Sequence, residues 1–265
     1  MKRHLVKTPQ GQLHFLSAGS LDTDRAVLFF HQSPSSSWMW SKVMADLAER
    51  GLSSVAGDLF NYGGSDRQPD LLDLHHHADL LLGAARSLSS ASLTAVGHHT
   101  GAVFAASCAA RHTLDGLVLM GYPLYGSRKE KQDRLGAKMH QDSFAPDGSE
   151  LAALWVRLNR SLEDETAFSD RHAILVDRLS AGPLWFTAYA ALLATDLEGT
   201  LREALDTGTP IKTVFAAQDA LSRLAPGITA LTGLTPIWIG GGPWVSVEHP
   251  RRVADVVHSA FREWA

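Results

Sequence analysis

The sequence predicts an α/β protein with a mostly parallel twisted sheet, flanking helices and one helical insertion. Short apolar runs rich in β-branched residues alternate with amphipathic patterns, which is typical of strand–helix–strand units with right-handed crossovers. These runs cover residues 12–18, 26–31, 53–58, 93–97, 117–121, 211–216 and 235–240. Between about Gly126 and Thr209 the alternation stops, and four helical patterns follow one another.

The helical patterns divide the chain into a core and a cap. Residues 41–51 end at a glycine, and the pattern after residue 248 places its apolar side chains on one stripe. We expect residues 1–126 and 209–265 to form the core and residues 127–208 to form a helical cap. Most of the bulky cap side chains should pack in the cap's own core, and a minority should face a pocket below it: Trp155, Phe168, Trp185, Phe186 and Tyr189.

Composition narrows the class of partner. The 24 Lys and Arg against 28 Asp and Glu leave a net charge of −4, which provides no general attraction for nucleic acid. A single cysteine, Cys108, excludes an intramolecular disulfide and a cysteine-based zinc site. No apolar run reaches the roughly 18 residues of a membrane helix, and the N-terminus lacks the apolar stretch of a signal peptide. We expect a cytoplasmic protein that binds a small-molecule substrate, with no nucleic-acid or membrane partner; a homodimer is compatible with these features.

The segment that carries chemistry is Gly97-His98-His99-Thr100-Gly101, where a strand turns sharply into a helix of small residues. A glycine two positions on either side of the central residue lets the strand and the helix approach closely around a strained turn. This is the spacing of a nucleophile elbow, with His99 at its centre.

Four segments in order resemble the α/β-hydrolase superfamily over nearly the whole chain. The stretch AVLFFHQSPSSSWMW looks like its strand and oxyanion loop, and SVAGDLFNYGGSDRQP is similar to its strand ending in Asp58 and a glycine-rich loop. The strand TVFAAQDAL places Asp219 at the position of the family's acid, and GGGPWVSVEHPRRVADVV looks like its last loop. The resemblance implies an α/β-hydrolase fold, with the backbone N–H groups of Gln32 and Thr100 as the oxyanion hole.

Two departures from the family pattern change the expected chemistry. His99 stands where the family carries Ser, or less often Cys or Asp, and Pro243 stands where it carries the triad histidine. Only the acid position, Asp219, is retained. Ordinary serine-esterase chemistry is therefore not predicted.

His99 has three open interpretations. A helix N-terminus disfavours a positive charge, so the imidazole could act as a neutral base that activates water or removes a proton beside a carbonyl, or as a nucleophile. The superfamily includes hydroxynitrile lyases and cofactor-independent oxygenases, so lyase chemistry is a subcase. Alternatively, His99 fills the turn in a protein that binds without reacting, as in the superfamily's hormone receptors. Our leading hypothesis is an atypical hydrolase or lyase acting on a small, apolar carbonyl compound.

The remaining site assignments follow from the same resemblance. Asp219 would orient His99 or bind a polar substrate group, unless it is a solvated loop residue. Because Pro243 replaces the histidine between them, we expect Asp219 and His99 to be too far apart for a direct hydrogen bond. Expected substrate-binding residues are His31, Trp38, Tyr122, Trp155, Trp185 and Trp244, with a structural role as the alternative for His31.

We predict no cofactor and no metal. The triplet His75, His76 and His77 cannot turn all three rings to one ion, because consecutive helical residues lie about 100° apart. His98 and His99 should diverge on the tight turn.

The elbow sequence predicts that fluorophosphonate probes, which label activated serines, will not label this protein stably. Simple activated esters should also be turned over negligibly, since neither an elbow serine nor the last-loop histidine is present. Mass spectrometry after incubation with the probe checks this; rapid stoichiometric labelling of any serine would contradict it.

Overall fold

The protein is described by a computed structural model that covers residues 1–68, 73–139 and 146–264. Eight strands form one sheet: β1 (Lys2–Thr8), β2 (Gly11–Ala18), β3 (Arg25–Phe30), β4 (Ser54–Gly57), β5 (Ser92–His98), β6 (Gly116–Met120), β7 (Ile211–Ala216) and β8 (Ile237–Ile239). Their order across the sheet is β1-β2-β4-β3-β5-β6-β7-β8. The first two strands pair antiparallel, β2 pairs antiparallel with β4, and every pairing from β4 to β8 is parallel. The predicted α/β fold class is confirmed.

All seven predicted strands are present, and one further strand was not predicted. β1 (Lys2–Thr8) lies at the edge of the sheet, and its side chains alternate only between exposed and half-buried positions. An edge strand that buries little apolar surface lacks the hydrophobic signal on which strand prediction depends.

Eleven α-helices accompany the sheet in the described ranges: α1 (Ser41–Glu49), α2 (Leu74–Leu88), α3 (Thr100–Arg111), α4 (Arg128–Met139), α5 (Ser149–Arg160), α6 (Phe168–Ser180), α7 (Thr187–Ala194), α8 (Leu197–Asp206), α9 (Ala225–Thr232), α10 (Val245–Glu248) and α11 (Pro250–Glu263). Helices α2, α3 and α8 pack in one hydrophobic core, and α1 and α11 pack in a second. Alternate side chains of the central strands enter the two cores, so the sheet is buried on both faces. Of the helices in these ranges, none is long and apolar enough to cross a membrane.

The predicted interruption of the strand–helix alternation lies between β6 and β7. Five helices, α4 to α8, occur there rather than the four patterns read from the sequence, with no strand in the described part of the segment. Helix α8 packs against α3 of the core. The division into core and cap at residues 127 and 208 stays a prediction.

Polar contacts tie the inserted helices to the core. The Tyr189 hydroxyl on α7 donates to the Ser33 carbonyl, and the Tyr62 hydroxyl donates to the Trp185 carbonyl at 2.6 Å. On α6, the Asp177 carboxylate accepts from the hydroxyls of Ser35 at 2.7 Å and Ser36 at 2.5 Å. These contacts fasten the helices above the loop that follows β3.

A buried aspartate organises two of the loops that flank the site. The Asp58 carboxylate accepts hydrogen bonds from the backbone N–H groups of Ser37 at 2.6 Å and Gly64 at 2.8 Å, and from His14 Nδ1 at 2.8 Å. Burial alone would raise the pKa of Asp58, but these donors together hold it below its usual range. A Cβ at Gly63 would lie 2.1 Å from the carboxylate, so only glycine fits beside it.

Replacing this carboxylate should destabilise the fold and change its acid sensitivity. We expect Asp58→Ala to lower the free energy of unfolding by about 3 kcal/mol or more, because buried donors lose their charged acceptor. Since the folded-state pKa of Asp58 is depressed, its contribution is present above the unfolded pKa near 4 and is lost as pH falls through the folded pKa. Urea denaturation between pH 3 and 7 measures both effects.

The matched control is Asp255→Asn, which removes a carboxylate that is 65% exposed and paired with Arg50 on the surface. It should change the unfolding free energy by less than about 1 kcal/mol. Equal losses for the two variants would contradict the role given to Asp58.

Candidate active site

His99 occupies the strained position of the predicted elbow. Its backbone has φ 49° and ψ −113°, and His99 and Asn61 are the non-glycine residues with positive φ in the described ranges. A Cβ at Gly97 would lie 2.3 Å from the Gly101 carbonyl oxygen, and a Cβ at Gly101 would lie 2.3 Å from the Phe30 carbonyl oxygen. Both glycines are therefore required for the close approach of α3 to β5 and β3.

The His99 ring reaches Asp219 directly. Its Nε2 lies 2.5 Å from Asp219 Oδ2, while Oδ1 of the same carboxylate accepts from the Leu221 N–H at 2.8 Å. The expectation of a gap too wide for a hydrogen bond is wrong. A histidine at the elbow extends further than a serine, so the ring itself spans the distance that Pro243 leaves open.

The negative charge of the Asp219 carboxylate determines which ring nitrogen of His99 carries the proton. Burial opposes ionisation of the carboxyl, but the neighbouring His99 and the Leu221 N–H outweigh it and hold the pKa of Asp219 below its usual range. With an ionised carboxylate at Nε2, the ring must carry its proton there, and Nδ1 is the nitrogen left to accept a proton or attack. Gly121 leaves room for the ring, since a Cβ there would lie 2.7 Å from His99 Cδ2.

His98 lies beside His99, contrary to the expected divergence. The two ring centroids are 4.2 Å apart, and His98 also contacts Trp40 edge-on at 6.3 Å. Because the residue is buried and next to His99, the pKa of His98 lies well below its usual range. The turn is tight enough to bring both rings to the same side of the sheet's end.

His98, His99 and Asp219 form the one group of three that could hold a metal ion among the residues that the structure describes. Their candidate ligand atoms all lie within 4.8 Å of one another. Two ligands that share an ion at about 2.0–2.2 Å must themselves be roughly 3 Å or more apart. The 2.5 Å contact between His99 and Asp219 fits a shared proton rather than a shared ion.

A cavity of about 370 Å³ opens between the carboxyl ends of the strands and helices α4 to α7. Gln32 follows β3, His99 follows β5 and Asp219 follows β7. Because these parallel strands end at the same edge of the sheet, all three residues line this cavity. Its size is that of a small-molecule site.

The lining of this cavity is strongly basic. Five cationic side chains from three helices and one loop line it: Arg134, Lys138, Arg157, Arg178 and Arg223. Asp219 is the one acidic residue of its described lining. Sequence reasoning missed this feature; the available signal was the spacing of Arg134 and Lys138, which four residues apart lie on one face of α4.

The predicted oxyanion-hole residues both line the cavity. The Gln32 N–H faces the sulfur of Met39 at 3.4 Å, a weak acceptor, while the Gln32 side chain donates to the Pro243 carbonyl at 3.0 Å. Thr100 begins α3, where backbone N–H groups have no partner within the helix. Their joint role remains a prediction.

Of the six predicted substrate-binding residues, Trp244 lines the cavity and the other five do not. His31 is buried and binds backbone, accepting from the Leu59 N–H at 3.0 Å, and the Tyr122 hydroxyl donates to the Leu197 carbonyl at 2.7 Å. Trp155 and Trp185 pack among the inserted helices, and Trp38 lines a separate depression. A binding role for these five in this cavity is not supported: His31, Tyr122 and Trp185 are buried among protein atoms, and the half-buried Trp38 and Trp155 lie outside the cavity lining.

Comparisons with known proteins place this architecture. A sequence model described as the alpha/beta hydrolase fold matches residues 25–144, which span β3, the elbow and β6. This segment is 120 of the 265 residues, so the chain resembles the alpha/beta hydrolase fold family in sequence over a little less than half of its length. The fold is also that of the enol-lactonase from Burkholderia xenovorans LB400, with a TM-score of 0.76 at 15% identity over 98% of this chain and all of that one.

Two curated proteins align with part of the chain. An epoxide hydrolase of Caballeronia sordidicola is 32% identical over 108 residues, which are 40% of this chain and 32% of that protein. An AB hydrolase superfamily protein of Bacillus subtilis is 28% identical over 144 residues, which are 49% of this chain and 53% of that protein. The aligned segment therefore spans about a third of the length of the first relative and about half of the length of the second.

The contact between His99 and Asp219 should be visible by proton NMR. We expect the wild-type protein to show a downfield, slowly exchanging imidazole N–H resonance, because a short charge-assisted hydrogen bond protects this proton. Asp219→Asn should abolish it. Asp79→Asn, which removes the carboxylate facing His112 at 2.7 Å, should leave it unchanged. Persistence of the resonance in Asp219→Asn would assign the proton elsewhere.

Proposed function

We propose that this protein is a hydrolase that acts on a small carbonyl compound, with His99 as its reacting side chain and Asp219 as the residue that positions it. The observation that carries the proposal is the hydrogen bond from the elbow imidazole to a buried carboxylate in the lining of a cavity that is open to solvent on one side. A group exposed on a strained turn and oriented by a second group has the arrangement of an activated catalytic side chain.

In the reaction that we infer, His99 acts as a general base. Nδ1 takes a proton from water as the water oxygen forms a bond to the carbonyl carbon, and the Asp219 carboxylate stabilises the imidazolium through Nε2–H. The negative charge that develops on the carbonyl oxygen is placed toward the Thr100 N–H at the start of α3, and the Gln32 N–H would join it only by turning away from the Met39 sulfur. As the tetrahedral intermediate collapses, the imidazolium returns the proton to the leaving oxygen, which releases an acid and an alcohol.

Direct attack by Nδ1 on the carbonyl carbon is the alternative route. It would form an acyl-imidazole that water then hydrolyses, and it requires the same ring orientation. The two routes differ in whether an acylated His99 can be trapped by rapid acid quenching and detected by mass spectrometry.

The comparisons support hydrolysis as the reaction class. The relatives include a protein named as an epoxide hydrolase, and the similar structures include one named as an enol-lactonase. Both names describe opening of a carbon–oxygen bond. The expectation of an apolar substrate stays a prediction. Leu135, Leu158 and Trp244 are among the apolar residues that line the cavity, but five cationic side chains line it as well, and a wholly apolar ligand would displace water from those charges.

Turnover of a panel of small esters, lactones and epoxides, followed by chromatography of the products, tests the proposal. We expect His99→Ala to lose at least about 100-fold of kcat/KM and Asp219→Asn to lose less, since positioning without a carboxylate is partial. The matched controls are His112→Ala and Asp79→Asn, which alter a His–Asp pair outside the cavity and should keep full activity.

Three results would overturn the proposal. Full activity in His99→Ala would remove the histidine from the mechanism. Products without oxygen from labelled water would indicate lyase chemistry instead of hydrolysis. Tight binding of panel compounds without any turnover would favour a receptor-like protein.

A further inference from the structure

We propose that the substrate of this cavity is an organic anion, whose carboxylate or phosphate group binds Arg134 and Lys138 on α4 while its reacting carbon lies at His99. The inference rests on the proposed function for the position of the reacting carbon, but the anion site stands on the charges of the lining alone.

The charge of the cavity is local and not a property of the whole protein. The chain has a net charge of −4, yet the described lining carries five basic side chains against one carboxylate. That carboxylate, Asp219, is already engaged by His99 and the Leu221 N–H. A cleft with walls of one sign concentrates ligands of the opposite sign.

The five cationic side chains differ in the protein groups that they contact. Arg223 pairs with Glu130 at 2.6 Å, and the Arg178 guanidinium lies over the Trp185 ring at 5.5 Å. For Arg134 and Lys138, no carboxylate of the described ranges lies within ion-pair distance. Within the described ranges, Arg134 and Lys138 therefore face the cavity without a carboxylate in direct contact, and Glu130 and Asp219 act on them only at longer range.

The surroundings of Lys138 disfavour the positively charged form of its side chain. Its Nζ lies 4.8 Å from the centre of the Tyr189 ring. Nearby protein atoms displace part of the water around the ammonium group and so lower the pKa of Lys138, although the side chain as a whole is exposed. Tyr125 and Asp219 oppose this shift, and the positive charge of Arg178 adds to it. A cation that has lost part of its water and has a like charge nearby is stabilised by a bound anion.

The order of charges along helix α4 supports the same assignment. Arg134 and Lys138 are four residues apart on one face, where two like charges destabilise a helix. Elsewhere on the same helix the i,i+4 pair is complementary, with Lys129 Nζ 2.6 Å from Asp133. Glu130, four residues before Arg134, attracts it only at longer range, because its carboxylate binds Arg223. The remaining repulsion between Arg134 and Lys138 at the cavity would be relieved by a bound anion.

The two side chains suit different parts of an anionic group. The planar guanidinium of Arg134 can donate two parallel hydrogen bonds to a carboxylate or phosphate, and the Lys138 ammonium supplies a compact positive charge. The cavity volume of about 370 Å³ accommodates a small molecule with such a group at one end and a carbonyl at the other.

Binding of matched charged and neutral compounds tests the inference without requiring turnover. The probes are benzoate and phenylacetate, their amides benzamide and phenylacetamide, and phenyl phosphate, measured by calorimetry and by the melting temperature of the full chain. We expect at least one anion to bind about tenfold more tightly than its neutral counterpart, and the preference to weaken as salt is added. Comparing the carboxylates with phenyl phosphate shows which group the site takes.

Variants locate the anion site. Arg134→Gln and Lys138→Gln should each weaken anion binding by about tenfold and change amide binding little. Lys129→Gln is the matched control, because it removes a cation of the same helix that faces solvent and pairs with Asp133; it should leave all affinities unchanged. Circular dichroism confirms that each variant is folded.

His99→Ala separates the two proposals. If it abolishes turnover and retains the preference for anions, both stand. If the amides bind wild type as tightly as the anions, or if Lys129→Gln weakens binding as much as Arg134→Gln and Lys138→Gln, the anion site is overturned and the hydrolase proposal is unaffected. If anion preference is present but no compound is turned over, the hydrolase proposal fails and the anion site remains.

Discussion

The contact of α3 with the ends of β3 and β5 is the constraint on which the site depends. Side-chain atoms are excluded at Gly97 and Gly101, because a Cβ at either position would lie 2.3 Å from a backbone oxygen. The chain between them must therefore turn within three residues, which forces His99 to a positive φ and lifts its ring above the sheet. The positions of Thr100 and of the His99 ring derive from this turn, while the ends of β3 and β7 bring Gln32 and Asp219 to it.

A single imidazole takes the place of two side chains in this site. In the superfamily pattern that the sequence resembles, an elbow nucleophile and a separate histidine stand between the backbone and the acid. Here His99 contacts Asp219 directly, and Pro243 contributes a carbonyl that holds the Gln32 side chain. The acid is thereby coupled to the elbow by one hydrogen bond, and its ionised form determines which ring nitrogen carries the proton.

Much of the fold was accessible from the sequence, because buried strands and amphipathic helices leave periodic apolar patterns. The elbow was also accessible, since its glycines reflect a local steric requirement. Strand β1 was missed because it buries little apolar surface, and the His99–Asp219 contact was mispredicted because its length depends on side-chain reach across two loops. The basic cavity could not be predicted either: Arg157 and Arg178 look like solvent-facing residues until helices α5 and α6 fold over the sheet.

The direct pairing of His99 with Asp219 also constrains how such a protein can evolve. A return to serine chemistry cannot proceed through a single substitution, because serine at position 99 would leave the buried Asp219 carboxylate without its imidazole partner and would still lack a base. Histidine at position 243 alone would gain no nucleophile to activate. At least two changes, at positions 99 and 243, therefore separate this site from the triad pattern that the sequence resembles, and neither change alone would assemble a nucleophile with its base.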